Sequence, residues 1–118
     1  MKPIAVHHVS INVDDVPAAV AFYTQILGLS ARDDRPDFEF GGAWLDAGSQ
    51  QVHLIEGEVP RRKGQHFAIL VDNLDQVVGE LRERGLHVSD PSPVGTSRQS
   101  FLNDPAGNQI ELHQVNSA

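Results

Sequence analysis

Four side chains of metal-ligating type recur at one interval. His66 follows His8 by the same number of positions by which Glu111 follows His53. His8 opens "HVSIN" and His66 opens "HFAIL"; His53 sits in "QVHLIEG" and Glu111 in "QIELHQV". Three imidazoles and one carboxylate make a mixed nitrogen–oxygen donor set. With water completing the shell, that set suits one borderline divalent ion per site: Zn, Ni, Co, Mn or Fe(II). Any two of the histidines with Glu111, such as His8, His66 and Glu111, match the two-histidine, one-carboxylate pattern of non-haem iron sites. The chain has no cysteine, so disulfides, thiolate metal sites and a cysteine nucleophile are excluded.

The elements that must carry these groups follow from hydrophobic periodicity. Ile4 to Val13 alternates as a strand, with Ala5, His7, Val9, Ile11 and Val13 on one face and His8 on the other. By that alternation His7 faces the helix side and is replaceable with little loss of metal binding. Asp14 or Asp15 then supplies a helix cap, Pro17 suits the first turn, and Gly28 suits a left-handed stop. A helix is expected over about Pro17 to Leu27. Short strands are expected at Ser30 to Asp33, Phe38 to Phe40, Ala43 to Ala47 and Gln50 to Glu56, with the Gly-Gly and Gly-Ser steps as positive-φ hairpin turns.

"GEVPRRKGQ" breaks the periodicity, and Arg61-Arg62-Lys63 read as a solvated connector. The pattern then restarts: a strand over His66 to Val71, a helix over about Leu74 to Arg84 closed by Gly85, a strand near His87, then Ser97 to Leu102, the turn "NDPAGN" and Gln109 to Gln114. The chain thus reads as one α+β domain over 1–118, built from two tandem βαβββ modules at about 4–56 and 66–115 with a linker at about 57–65. The closing glycines, Gly28 and Gly85, are one position closer together than the repeat interval, so the first helix is one residue longer and the register recovers before the last strands. Two repeat-related sheets can curl into an eight-stranded cup. In each module His8, His53, His66 and Glu111 fall on the face turned away from the helix, which would be the interior of that cup.

Other residues invite plainer readings. His113 shares the face of Glu111 two residues on, and is a candidate acid–base partner beside it. His87 reads as a surface residue. Phe38, Phe40, Trp44 and Phe101 read as core, with an apolar pocket lining as the alternative, and Phe22, Tyr23 and Leu27 as helix packing. Arg32 and Arg98 read as solvated, Glu56 as a strand end, and Asp104 and Asn108 as organisers of their turn. The net charge of −7 argues against a nucleic-acid partner. No apolar run is long enough for a membrane span, and the start of the chain does not read as a signal peptide, so the expected location is cytoplasmic.

With "HHVSINVDD", "AFYTQILGL", "GQHFAILVDNLD" and "DPAGNQIEL" in view, the chain resembles the vicinal oxygen chelate superfamily. That family includes glyoxalase I, methylmalonyl-CoA epimerase, extradiol dioxygenases, fosfomycin-modifying thiol transferases and bleomycin-binding resistance proteins. The resemblance covers nearly the whole chain. It implies a glyoxalase/dioxygenase-like fold with His8, His53, His66 and Glu111 as metal ligands, and a homodimer whose cups are shared between chains. The implied activity is that of a metal-dependent lyase or isomerase of the glyoxalase/epimerase type. It would act on a small substrate with vicinal oxygens through an enediolate-like intermediate, with Glu111 and His113 moving protons. The alternatives are an extradiol-type dioxygenase and a non-catalytic antibiotic-binding resistance protein. Bacterial glyoxalase I has a Glu where this chain has His53, and no glutathione site is recognisable, so the match is to the superfamily rather than to that one activity.

Overall fold

Equivalent caps place the two helices. Asp15 and Asn73 both take extended backbone, and each accepts from the amide three residues on: Asp15 Oδ1 from Ala18 at 3.0 Å, and Asn73 Oδ1 from Gln76 at 3.1 Å. A computed structural model describes residues 1–61 and 64–116 of the chain. In it α1 spans Val16–Ala21 and α2 spans Leu74–Glu83. The first helix continues into a π-helical turn, Phe22–Ile26, in which the Leu27 amide donates to the Phe22 carbonyl at 3.1 Å. Gly28 (φ +78°) and Gly85 (φ +85°) close the two helices.

The caps keep the repeat interval and the closing glycines fall one position short of it, so the extra residue of the first helix lies within it. A π-helical turn is the ordinary way to absorb one inserted residue while both helix ends stay in place.

The strands are β1 (His8–Val13), β2 (Ser30–Ala31), β3 (Gly42–Ala47), β4 (Gln50–Glu56), β5 (Phe67–Leu70), β6 (Ser92–Val94), β7 (Ser97–Asn103) and β8 (Gln109–Val115). The chain divides into two compact units, Met1–Arg61 and Arg62–Ala118. Each holds one βαβββ module folded as a four-stranded mixed sheet, in the order β1-β4-β3-β2 and β5-β8-β7-β6. The α+β class and the repeated module are therefore as the sequence indicates. In both units the first strand pairs in parallel with the last, which lies inside the sheet. The registers are the same: Ser10 pairs with His53, and Ala68 with Glu111.

The helix-facing side of each sheet carries the apolar residues. Val13, Ala19, Tyr23, Leu45, Val52 and Leu54 are buried in the first unit; Leu74, Val78, Leu81, Leu102, Ile110 and Leu112 are buried in the second. Phe22 and Tyr23 pack there as expected.

Several local expectations change. β1 begins at His8, so residues 4–7 lie outside it and alternation does not orient His7. Phe38 to Phe40 forms no strand, and neither does the segment around His87, which is exposed. Arg62 and Lys63 of the connector lie outside the described residues.

The Gly41-Gly42 step is not a positive-φ turn either. Gly42 is glycine for another reason: a Cβ there would collide with the Leu54 carbonyl oxygen on the neighbouring strand. Backbone cannot yield as a side-chain tip can. Gly42→Ala is therefore expected to cost about 3 kcal/mol, the upper end of overpacking penalties, read as a lowered urea midpoint with an unchanged slope.

Candidate metal centre

His53 stands on the inner strand β4, with its imidazole between two flat partners from the strands on either side. The Trp44 ring from β3 lies 4.4 Å away at 10°, and the His8 ring from β1 lies 4.0 Å away at 16°. Side chains on one face of neighbouring strands are separated by roughly 4.7–4.9 Å, so parallel rings there stack naturally. His53 is 8% exposed, and its Nε2 meets Gln51 Oε1 at 2.8 Å, which holds the ring plane. Burial, reinforced by His8, His7, Arg32 and Arg35, pushes its pKa below the ordinary histidine value. His53 therefore keeps the neutral, lone-pair-bearing form a metal needs to lower pH than a free histidine does.

His7 departs from expectation. It is exposed, and its Nδ1 lies 2.9 Å from His8 Nδ1, so one imidazole donates and the other accepts. The contact couples the two tautomers: whichever Nδ1 carries the proton, the other ring must accept. Strand alternation missed this because His7 precedes the strand.

In the second unit Glu111 occupies the equivalent inner strand, β8, and is 8% exposed. Both of its oxygens are engaged: Oε1 with His66 Nε2 at 2.9 Å, and Oε2 with His113 Nδ1 at 2.7 Å. His66 also donates from Nδ1 to the Gly64 carbonyl at 2.8 Å. With acceptors at both nitrogens, the imidazolium is favoured. The Gly64 carbonyl first, and Glu111 second, raise the His66 pKa above its ordinary value.

The sign of the resulting pH effect is fixed. In metal-free protein, the stabilisation from this pair is fully present below about pH 6.5, the unperturbed histidine value, and is lost as pH rises through the raised one. A cation at His66 would act the other way, because it would have to displace the Nε2 proton. Divalent-metal affinity, followed by competitive chelator titration, is expected to rise with pH across that window. His66→Gln, which lacks the titrating group, should bind far more weakly, and whatever affinity remains should lack most of that rise.

An aromatic residue pairs across the strands with each inner-strand candidate. Trp44 is the register partner of His53, and Phe101 is that of Glu111. Phe101 also meets the His66 ring edge-on at 5.6 Å and 78°. Both aromatics are half-buried on the ligand face rather than in the core. Their equivalence is hidden in the sequence because Trp44 and Phe101 are one position closer together than the repeat interval that separates the ligands. The difference sits in the hairpins: Ala47 pairs with Gln50 across a short turn, and Asn103 with Gln109 across a longer one.

The remaining candidates take the plainer roles. Arg32 is bound to Asp34 and Asp46 at 2.7 and 2.8 Å, and Arg98 to Asp75 at 2.9 Å. Asp104 and Asn108 tie their own turn together. Among the described residues no three His, Asp or Glu side chains gather closely enough to hold a metal ion. The structure instead brings the four candidates together as two pairs, His8 with His53 and His66 with Glu111.

The chain thus carries a βαβββ module twice, each unit with one contacting pair of candidate donors. The chain belongs to the Glyoxalase/Bleomycin resistance protein/Dioxygenase superfamily, whose family model matches residues 5–112. It is 31% identical over 125 residues to a Vibrio cholerae protein named "Probable lactoylglutathione lyase", covering 94% of this chain and 91% of that one. It is 26% identical over 125 residues to the lactoylglutathione lyase of Salmonella typhimurium, covering 94% and 93%. Among solved structures, a glyoxalase family protein from Bacillus anthracis superposes with a TM-score of 0.84 at 25% identity, covering 98% of both chains. TnmS3, described as an antibiotic binding protein from Streptomyces sp. CB03234, superposes with a TM-score of 0.80 at 27% identity, covering 98% of this chain and 99% of that one.

Proposed function

We propose that this protein is a divalent-metal-dependent enzyme of the glyoxalase/epimerase type, acting on a small substrate with neighbouring oxygens. The observation that carries the reading is the equivalence of the two donor pairs: each unit bears, at the same register, two ligand-type side chains already in contact on the face away from its helix. His8, His53, His66 and Glu111 would hold the ion, and their mixed nitrogen–oxygen chemistry fits Zn, Ni, Co, Mn or Fe(II). The family membership and the resemblance to lactoylglutathione lyases support a lyase.

When bound, the ion supplies Lewis-acid polarisation of the substrate's oxygens. The chain's own residues do the rest. Glu111 removes a proton from the carbon next to a carbonyl and returns it. His113, at the other carboxylate oxygen, holds Glu111 in place and shares the proton. His7 and Gln51 orient the His8 and His53 rings.

Protein purified without an affinity tag is expected to carry about one divalent ion per chain by elemental analysis, the stoichiometry of a single closed ligand set. A wild type that takes up no Zn, Ni, Co, Mn or Fe(II) when each is supplied in excess would overturn the reading.

In this reading the ligand set is completed in a homodimer, with His8 and His53 from one chain and His66 and Glu111 from the other; the alternative is a cup closed within one chain. Mixing His8→Ala chains with Glu111→Ala chains should then restore one intact site per mixed dimer, whereas neither variant alone binds metal. Absence of recovery in a mixture shown to exchange subunits would exclude the shared arrangement.

The likeness to TnmS3 favours a second reading, ligand sequestration without turnover. Saturable binding of a ligand that is recovered unchanged would select it. Oxygen uptake with a catechol would select the dioxygenase alternative.

A further inference from the structure

The two units hold their first candidate histidine differently. His8 Nδ1 meets a side chain, the His7 imidazole, at 2.9 Å. The position repeat-equivalent to His7 is Gln65, and His66 Nδ1 meets main chain instead, the Gly64 carbonyl at 2.8 Å. A carbonyl oxygen only accepts, so Nδ1 of His66 must carry the proton of that bond. The His7–His8 contact leaves open which ring donates. The Gly64 contact does not.

His66 depends on that bond more than His53 depends on any of its own. His53 is wedged between the Trp44 and His8 rings, whereas the His66 side chain is 31% exposed. The other contacts of the His66 ring are Glu111 Oε1 at Nε2, 2.9 Å away, and Phe101, met edge-on. An imidazole turned over by half a revolution puts carbon atoms where Nδ1 and Nε2 stood. A fixed acceptor at Nδ1 selects one of the two orientations, the one that sends Nε2 to Glu111.

The carbonyl reaches a ring two residues on because Gly64 takes φ +90°. That is the left-handed half of backbone space, which L residues with a side chain rarely adopt. Room is not the reason for a glycine here, since a Cβ on Gly64 would meet nothing within 4 Å. We infer that Gly64 is a positioning residue of the second unit: its left-handed backbone aims the carbonyl that locks His66 with Nε2 toward Glu111 and the ion. The consequence for the ion rests on the metal-dependent reading above; the lock itself rests on the Gly64–His66 bond. A proton held on one ring nitrogen keeps the lone pair on the other, which is what a histidine ligand requires of its outer partner. The end of the connector, whose composition reads as a solvated spacer, thereby becomes part of the site.

At about pH 6, below the raised His66 value, the metal-free ring carries both protons, so NMR follows each bond separately. In wild type, kept in chelator, the His66 Nδ1–H and Nε2–H resonances should both be protected from exchange with water. Gly64→Pro, whose φ is held at about −65°, should lose the protection of Nδ1–H and keep that of Nε2–H, because Glu111 is untouched. A general loosening of the fold would move both. Zinc affinity of the same variant, by competitive chelator titration, should fall about 10–100-fold, the usual cost of losing an outer partner. Gly64→Asn, which tolerates positive φ, should keep most of the protection and most of the affinity, with Gly64→Ala between the two. If Gly64→Pro does not fold, Gly64→Ala carries the same comparison. Absence of a protected Nδ1–H in wild type, its persistence in Gly64→Pro, or an equal loss in Gly64→Asn would overturn the lock. Unchanged zinc affinity after that proton is lost would overturn the positioning role. Zinc uptake keeps the two failures apart: a wild type that binds no zinc, yet loses the Nδ1–H only when Gly64 is replaced by Pro or Ala, keeps the lock and loses the metal-dependent reading.

Discussion

Glu111→Ala is expected to abolish stoichiometric metal binding and, with it, turnover, while leaving a folded protein. Glu111 is the one anionic member of the donor set, and both its oxygens are already committed, to His66 at 2.9 Å and to His113 at 2.7 Å. Loss of an outer partner of a metal ligand costs roughly 10–100-fold in affinity, and loss of a ligand itself should exceed that. The effect on folding should be small. The imidazoles left without their acceptor are partly open to solvent, and water can replace the lost bonds, at about 1 kcal/mol each. Elemental analysis alongside a urea titration separates the two effects. Glu111→Gln sharpens the test, since it keeps the shape and one acceptor oxygen but removes the charge and the proton-accepting function. It should retain weak metal binding and lose activity. Glu111→Ala protein with undiminished metal content would remove Glu111 from the site.

Asp104→Ala is expected to be the most destabilising single change outside the hydrophobic core. The Asp104 side chain is buried, and its Oδ1 accepts from the amides of Ala106 and Asn108 at 2.9 and 2.8 Å, while Oδ2 accepts from Asn108 Nδ2 at 3.0 Å. Charge-assisted bonds of this kind are worth about 1.5–3 kcal/mol each, and their loss leaves part-buried amides without an acceptor. Because the three bonds are only part-buried and water recovers some of each, a total loss of about 3–4 kcal/mol is expected, a large share of the roughly 5–15 kcal/mol typical of a domain. Asp104→Asn, which keeps one acceptor oxygen, should lose about half as much. The turn feeds directly into Gln109 and Glu111, so metal affinity should fall in parallel with the urea midpoint. A variant that unfolds at the wild-type midpoint would show that Asn108 and Gly107 hold the turn unaided.

How far the site could be read from the chain is clearest in its pairs. The repeat interval identifies His8 with His66 and His53 with Glu111. Strand alternation assigns each of those residues a face without any knowledge of its neighbours. The aromatic partners escaped the same arithmetic. Trp44 and Phe101 face His53 and Glu111 at a spacing one short of the repeat interval because the two hairpins differ in turn length, and cross-strand register is a property of the turn rather than of either strand. Their size and apolarity read as core, and burial is decided by what lies opposite. His7 failed differently: alternation was applied to a residue that precedes the first ladder pair.

By itself, then, the sequence determined what depends on local period and on repetition: two βαβββ modules, their caps and closing glycines, the apolar faces, and the ligand-type residue at each equivalent position. Tertiary structure decided what depends on contacts between strands. It stacked His53 between Trp44 and His8, joined Glu111 to both His66 and His113, and turned His7 onto His8. It also accounted for the mismatch between the two spacings, taking up one residue in the π-helical turn of the first helix and recovering it in the longer turn before β8. The physical reason is the same in each case. A period is carried by neighbouring residues along the chain, whereas a register, a ring stack or a shared carboxylate exists only once distant segments have met.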